Sequence, residues 1–185
     1  MLVLASASPR RQELLRNAGI AFEVQPADIA EDPLSGETAQ ACVERLAREK
    51  ALAIAAQRPS DTVLGADTVV TIDGQILGKP DDDADAARML RLLSGRTHQV
   101  ITGVCLVAGG RCKVASETTS VTMCEISEKE VADYVATSEP MDKAGAYAIQ
   151  GIASRWIPRI EGDYSNVVGL PVALVYRMLS ELSVA

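Results

Sequence analysis

Apolar positions along the chain alternate between a strand-like and a helix-like spacing, and the switches mark the elements. Leu2 to Ala5 is a short apolar run followed by small residues, the pattern of a buried strand. Ser8 at the N-cap, Pro9 at the first helical position and Gly19 past the last turn then bound a helix. A second helix is predicted from about Thr38 to Gln57, with Val43, Leu46, Ala47 and Ile54 as its apolar stripe. Val63 to Ala66 reads as a buried strand, and Val69 to Ile72 continues extended to an Asp73-Gly74 turn and a hairpin partner, Gln75 to Leu77. A third helix covers Ala84 to Leu93 and stops at Gly95. Val100 to Val107 and Lys113 to Ile126 read as two long strands joined through Gly109-Gly110. Ser127 and Glu130 form a capping box that opens a helix to Ala136, and Pro171 begins a last helix through Leu182. The pattern predicts an α/β fold, a mixed twisted sheet flanked by helices, with two lobes around a cleft. No repeat or linker interrupts it, so the whole of 1–185 is read as one domain.

Charge and composition narrow the chemistry. The net charge is −7, so the overall field does not favour a long nucleic acid, and basic residues gathered in one place become informative. Only one Phe, one Trp and four Tyr are present, too few for base-stacking platforms. Cys42, Cys105, Cys112 and Cys124 show no C-x-x-C spacing, and His98 is the one histidine, so a zinc site has no support. Reduced thiols and the lack of a signal-type leader or a membrane-length apolar run point to the cytoplasm. Gly74 to Pro80 is one residue short of a P-loop and has Pro80 where Ser or Thr would hold magnesium.

Several residues break the pattern in ways that point to an anion. Arg10 and Arg11 occupy the first turn of the first helix, where cations oppose the helix dipole. With Ser6, Ser8 and the free N–H groups of that turn they would form a phosphate site; otherwise they are two solvated arginines. Lys50 falls on the apolar stripe of the second helix, four residues after Leu46. It either snorkels outward or reaches a buried anion. An apolar replacement such as Met is expected to suit that stripe. Lys79, between Gly78 and Pro80, is a turn lysine or a second anion contact. Asp67 follows the apolar run Val63 to Ala66, placing a carboxylate at a strand end where α/β ligands bind, or capping the next turn. Asp28 and Glu31 add two acids in a loop, and Gln150 is a neutral amide between small residues.

Six blocks in order resemble the Maf family of nucleoside triphosphate pyrophosphatases and cover nearly the whole chain. They are Leu4 to Arg11, Gly65 to Val70, Gly78 to Pro80, Leu93 to Val104, Glu139 to Gly151, and Gly162 to Pro171. The resemblance implies hydrolysis of a nucleoside triphosphate to the monophosphate and pyrophosphate, with Mg2+ or Mn2+, by a protein that is often a homodimer. Arg10, Thr68 and Gln150 match the branch that cleaves dTTP and UTP and are the expected base-selecting residues. Ser6, Arg11, Lys50 and Lys79 are the expected phosphate contacts, Asp67 orients or deprotonates water or binds metal, and Glu31 holds metal. The same resemblance leaves room for a nucleotide-binding regulator of cell division or septum formation with little turnover. A phosphotransferase is a further class, which the absent P-loop disfavours.

Overall fold

Strands long enough to pass from one part of the molecule to another set the frame. The computed structural model describes residues 1–183. Its seven strands are β1 (Leu2–Leu4), β2 (Glu23–Val24), β3 (Thr62–Ile72), β4 (Gln75–Leu77), β5 (Thr97–Ala108), β6 (Arg111–Thr122) and β7 (Arg159–Glu161). They form one mixed sheet in the order β2-β1-β3-β5-β6-β7, with β4 paired to β3. Helices α1 (Pro9–Asn17), α2 (Ala39–Ala55), α3 (Asp83–Leu93), α4 (Glu128–Val135), α5 (Tyr164–Val168) and α6 (Val172–Ser183) complete the α/β fold. The residues divide into two compact units, and β3, β5 and β6 contribute to both.

The first unit comprises Met1–Thr68, Thr102–Glu117 and the chain from Gly169 onward. β1 pairs in parallel with β2 and β3, with Val3 opposite Glu23 on one side and Val63 on the other. Alternation along the strands divides the apolar side chains between two faces. Leu2, Leu4, Leu64 and Leu106 pack with Leu15 of α1 and Leu174, Val175 and Met178 of α6. Val3, Val63, Cys105 and Val107 pack on the other face with Ala47, Ala51 and Ile54 of α2. Each large side chain buried this way contributes roughly 1.5–3 kcal/mol of transfer free energy. Two glycines let α2 lie directly on the strands. A Cβ at Gly65 would stand 2.1 Å from the Ala47 carbonyl oxygen, and one at Gly103 2.3 Å from that of Val43. All four cysteines are free thiols, as expected, with Cys105 and Cys112 sulfurs 3.3 Å apart.

The second unit comprises Val69–Ile101 and Thr118–Val168. β4 runs antiparallel to the end of β3, and β7 antiparallel to the end of β6. Its core gathers Val70, Leu90, Leu93, Val121, Tyr134 and Trp156. Asp82 caps α3, and Ser127 with Glu130 forms the predicted capping box on α4. Three features differ from the sequence reading. β6 ends at Thr122 instead of Ile126 because the next N–H groups bond elsewhere, Met123 to the Arg96 carbonyl and Cys124 to that of Trp156. β3 runs unbroken through Asp67, which therefore sits within a strand and not at its end. The stretch from Glu139 to Trp156 folds into three 3-10 turns, and β2, β7 and α5 also went unpredicted.

Candidate active site

The start of α1 is organised as the sequence suggests. Ser8 is the N-cap and Pro9, Arg10 and Arg11 fill the first turn, which carries no acid. Arg11 does not extend into solvent. It is buried, and its Nε donates to the Gly169 carbonyl oxygen at 2.8 Å. Nη1 donates to Ser6 Oγ at 3.0 Å and Nη2 to Thr68 Oγ1 at 3.0 Å. Thr68 Oγ1 also lies 2.9 Å from the hydroxyl of fully buried Thr102. A guanidinium has five N–H groups, so two remain beyond these three bonds. Burial pulls the Arg11 pKa below its ordinary value, and the nearby Asp67 and Glu31 charges oppose that shift. Ser6 Oγ accepts from Arg11 and from the Ser8 N–H, which leaves its own proton to donate.

Lys50 settles the choice between snorkelling and pointing inward. It projects from the buried stripe of α2 and is 6% exposed. Its Nζ lies 2.7 Å from Asp67 Oδ1 and 2.6 Å from Glu31 Oε1. Asp67 is 8% exposed, whereas the Glu31 side chain reaches out from an irregular loop. Two carboxylates therefore converge on one ammonium group. The close seat of α2 at Gly65, two residues before Asp67 on β3, makes the reach from Lys50 short.

Lys79 and Gln150 belong to the second unit, and both are exposed. The Gly78 carbonyl next to Lys79 accepts from the Gly145 N–H at 3.0 Å. The turn after Gln150 is seated on Glu139, whose Oε1 accepts from the Ile152 N–H at 3.2 Å and from the Tyr134 hydroxyl at 2.9 Å. The first unit thus brings Ser6, Arg11 and Thr68 into one network and Glu31, Lys50 and Asp67 into another, with half-buried Arg10 beside Arg11 on α1. Sequence reasoning missed Thr102, Glu37, Arg45, Glu139 and the Gly169 carbonyl as supports of these residues. Thr102, Glu139 and Gly169 carried a signal, since each lies inside one of the six blocks, whereas Glu37 and Arg45 carried none.

Among the described residues no group of three or more His, Cys, Asp or Glu side chains could hold a metal. The carboxylate pair Glu31 and Asp67 is what remains. A pair fits magnesium or manganese, which take one or two carboxylates and complete their shell with phosphate and water oxygens. No helix among the described residues is long and apolar enough to cross a membrane.

The class of protein is thus an α/β fold on a mixed sheet that gathers a buried arginine, a buried lysine and two acids into a charged polar site in one unit. The chain belongs to the Maf family: the family model for Maf-like proteins matches residues 1–182. Among curated relatives, the dTTP/UTP pyrophosphatase of Koribacter versatilis is 58% identical over 183 residues, covering 99% of this chain and 95% of its own. That of Symbiobacterium thermophilum is 52% identical over 180 residues, covering 97% and 93%. Among solved structures, a nucleoside-triphosphatase (dITP/XTP pyrophosphatase) from Mycobacterium abscessus aligns over 68% of this chain and 75% of its own. That alignment has 19% identity and a TM-score of 0.45, too loose a likeness to bear on function.

Proposed function

We propose that this chain is a nucleoside triphosphate pyrophosphatase that hydrolyses dTTP and UTP to the monophosphate and pyrophosphate. Water attacks the α-phosphorus, the bond from that phosphorus to the α–β bridging oxygen breaks, and that oxygen leaves with pyrophosphate. The observation that carries this reading is the Lys50 ammonium held inside the protein between Asp67 and Glu31. Hydrolysis of an anhydride in a tetra-anion needs cations around the phosphates and an acceptor for the water proton, and little covalent chemistry besides. Relatives at 58% and 52% identity named dTTP/UTP pyrophosphatase support the same choice of substrates.

In this reading the two spare N–H groups of Arg11, the Ser6 hydroxyl, Lys50 and Lys79 contact phosphate oxygens. Asp67 orients the water and takes its proton, or shares with Glu31 the holding of the cation. Magnesium or manganese would be held by Glu31 and Asp67 and would supply charge neutralisation on the phosphates. Arg10, Thr68 and Gln150 select the base. A carboxamide matches the N3–H and a carbonyl of uracil or thymine but can flip to suit cytosine, so rejection of CTP falls to donor-only Arg10. Turnover of free nucleotides fits a cytoplasmic, pool-cleansing role. Incubating the protein with dTTP, UTP or CTP and either Mg2+ or Mn2+ and separating the phosphate products by ion-exchange chromatography tests this. Pyrophosphate is expected from dTTP and UTP well ahead of CTP. Orthophosphate as the first product, or no turnover with either metal, would overturn the assignment.

A further inference from the structure

Glu31 is the solvent-facing member of the Lys50 cluster, with 46% of its side chain exposed. It lies in a stretch without helix or strand, so holding it 2.6 Å from Lys50 requires the loop to be ordered from elsewhere. The ordering contacts come from α2 itself. Arg45 donates from Nε to Glu37 Oε1 at 2.7 Å and from Nη2 to Glu37 Oε2 at 2.9 Å, a two-bond fork. The same Nη2 donates to the Asp32 carbonyl oxygen at 3.1 Å, on the residue next to Glu31. Nη1 donates to Glu49, one turn along α2, at 3.3 Å. Glu37 closes the loop on itself: it accepts from the Leu34 N–H at 3.0 Å, and its own N–H donates to the Leu34 carbonyl at 3.1 Å. One helix thus carries both the lysine that Glu31 meets and the arginine that ties down the loop of Glu31.

Exposed ion pairs contribute little to stability, so a charge pair eight residues apart would ordinarily need no role. This one differs in three respects. The Glu37 side chain is only 9% exposed, the contact is bidentate, and the arginine spends a further donor on a backbone carbonyl beside a candidate metal ligand. A lysine could supply the charge but not the fork and the third bond together.

We propose that Arg45 and Glu37 are positioning residues that fix Glu31 against Lys50 and thereby set the cation affinity of the Glu31 and Asp67 pair. The inference rests on the reading of Glu31 as part of the site. The test uses the full chain and the variants Arg45→Lys and Glu37→Gln, each alone and combined with Glu31→Gln. Five quantities are measured: kcat and KM for dTTP, Mn2+ binding by paramagnetic resonance in the presence of α,β-imido-dUTP, amide exchange over residues 31–37, and melting temperature. Loss of a residue that orients a metal ligand commonly weakens binding or activity by about 10- to 100-fold. That loss is expected in Mn2+ affinity and kcat for Arg45→Lys, with faster exchange over 31–37 and little change in melting. Glu37→Gln should follow in the same direction. In the Glu31→Gln background neither change should cost anything further, because the residue it positions is already gone. An equal loss in both backgrounds, or full Mn2+ affinity despite faster exchange, overturns the proposal and leaves the pyrophosphatase reading standing. Wild-type behaviour of Glu31→Gln alone overturns the placement of Glu31, and the proposal with it. Failure of the unmodified protein to cleave dTTP rejects the function itself.

Discussion

A buried lysine beside a buried aspartate limits what either position tolerates. Asp67→Asn keeps the volume and leaves an oxygen to accept from Lys50, so the fold should survive. Loss of a group that takes a proton costs about 10²–10⁴-fold in kcat, and steady-state hydrolysis of dTTP should show a fall of that size. Retention of more than about a tenth of kcat would remove Asp67 from the centre of the mechanism. Lys50→Met is a harsher change than its place on an apolar stripe suggests. Removing one partner of a buried pair leaves the other charge uncompensated at a cost of about 3–5 kcal/mol. The melting temperature should therefore fall together with activity; an unchanged melt would mean that Asp67 finds another cation. His98 contributes to the acid sensitivity of stability. Its Nε2 lies 2.7 Å from the Tyr147 hydroxyl, and its Nδ1 has no hydrogen-bond partner among the described residues. Burial lowers its pKa from 6.5 to about 4. The unfolded chain then binds the proton first, so stability falls as pH drops from 6.5 through about 4, by up to roughly 3 kcal/mol. Urea unfolding of His98→Gln across that range should show a shallower pH dependence than the parent; an equal slope would place the acid sensitivity elsewhere.

At the level of elements, α2 does more than any other to build the site. It carries Lys50 on its inner face and Arg45 towards the acidic loop, and it rests on β3 and β5 where Gly65 and Gly103 leave room. Gly103→Ala would press a methyl against the Val43 carbonyl, and overpacking of that kind costs about 1–3 kcal/mol. Because the displaced helix holds Lys50, kcat should drop beyond what the fraction of folded protein explains. Circular dichroism melts paired with kcat would show whether both move; a lowered melt with intact kcat would limit Gly103 to packing. Much of this was legible in the chain. The caps at Ser8 and Ser127 and the charge on the stripe at Lys50 are local signals, written within one or two helical turns. β2 and β7 are two and three residues long, and their pairing comes from distant strands, so no local pattern announces them. Arg45 and Glu37 look like ordinary surface charges until the fold shows the fork between them. The continuity of β3 through Asp67 was hidden because a polar residue in a strand interior reads as a break.

Across the whole molecule, neither unit is a continuous stretch of chain. The first draws on three segments and the second on two. α6 carries none of the candidate site side chains, yet its Leu174, Val175 and Met178 share a core with Leu2, Leu4 and Leu15. The carbonyl of Gly169, just before it, also anchors Arg11. Ending the chain after Val168 would remove several buried side chains at roughly 1.5–3 kcal/mol each, comparable to the whole 5–15 kcal/mol stability of a typical domain. Such a truncation should be insoluble or unfolded by circular dichroism, and a folded, active product would contradict the account of the core. The same arrangement has a consequence for synthesis. The ribosome makes β1, α1 and α2 well before the helix that covers the Leu2, Leu4 and Leu15 face, with β3 to α5 in between. Until α6 has been made that face lacks its native cover, and exposed apolar surface of that kind is prone to non-native collapse or capture by chaperones.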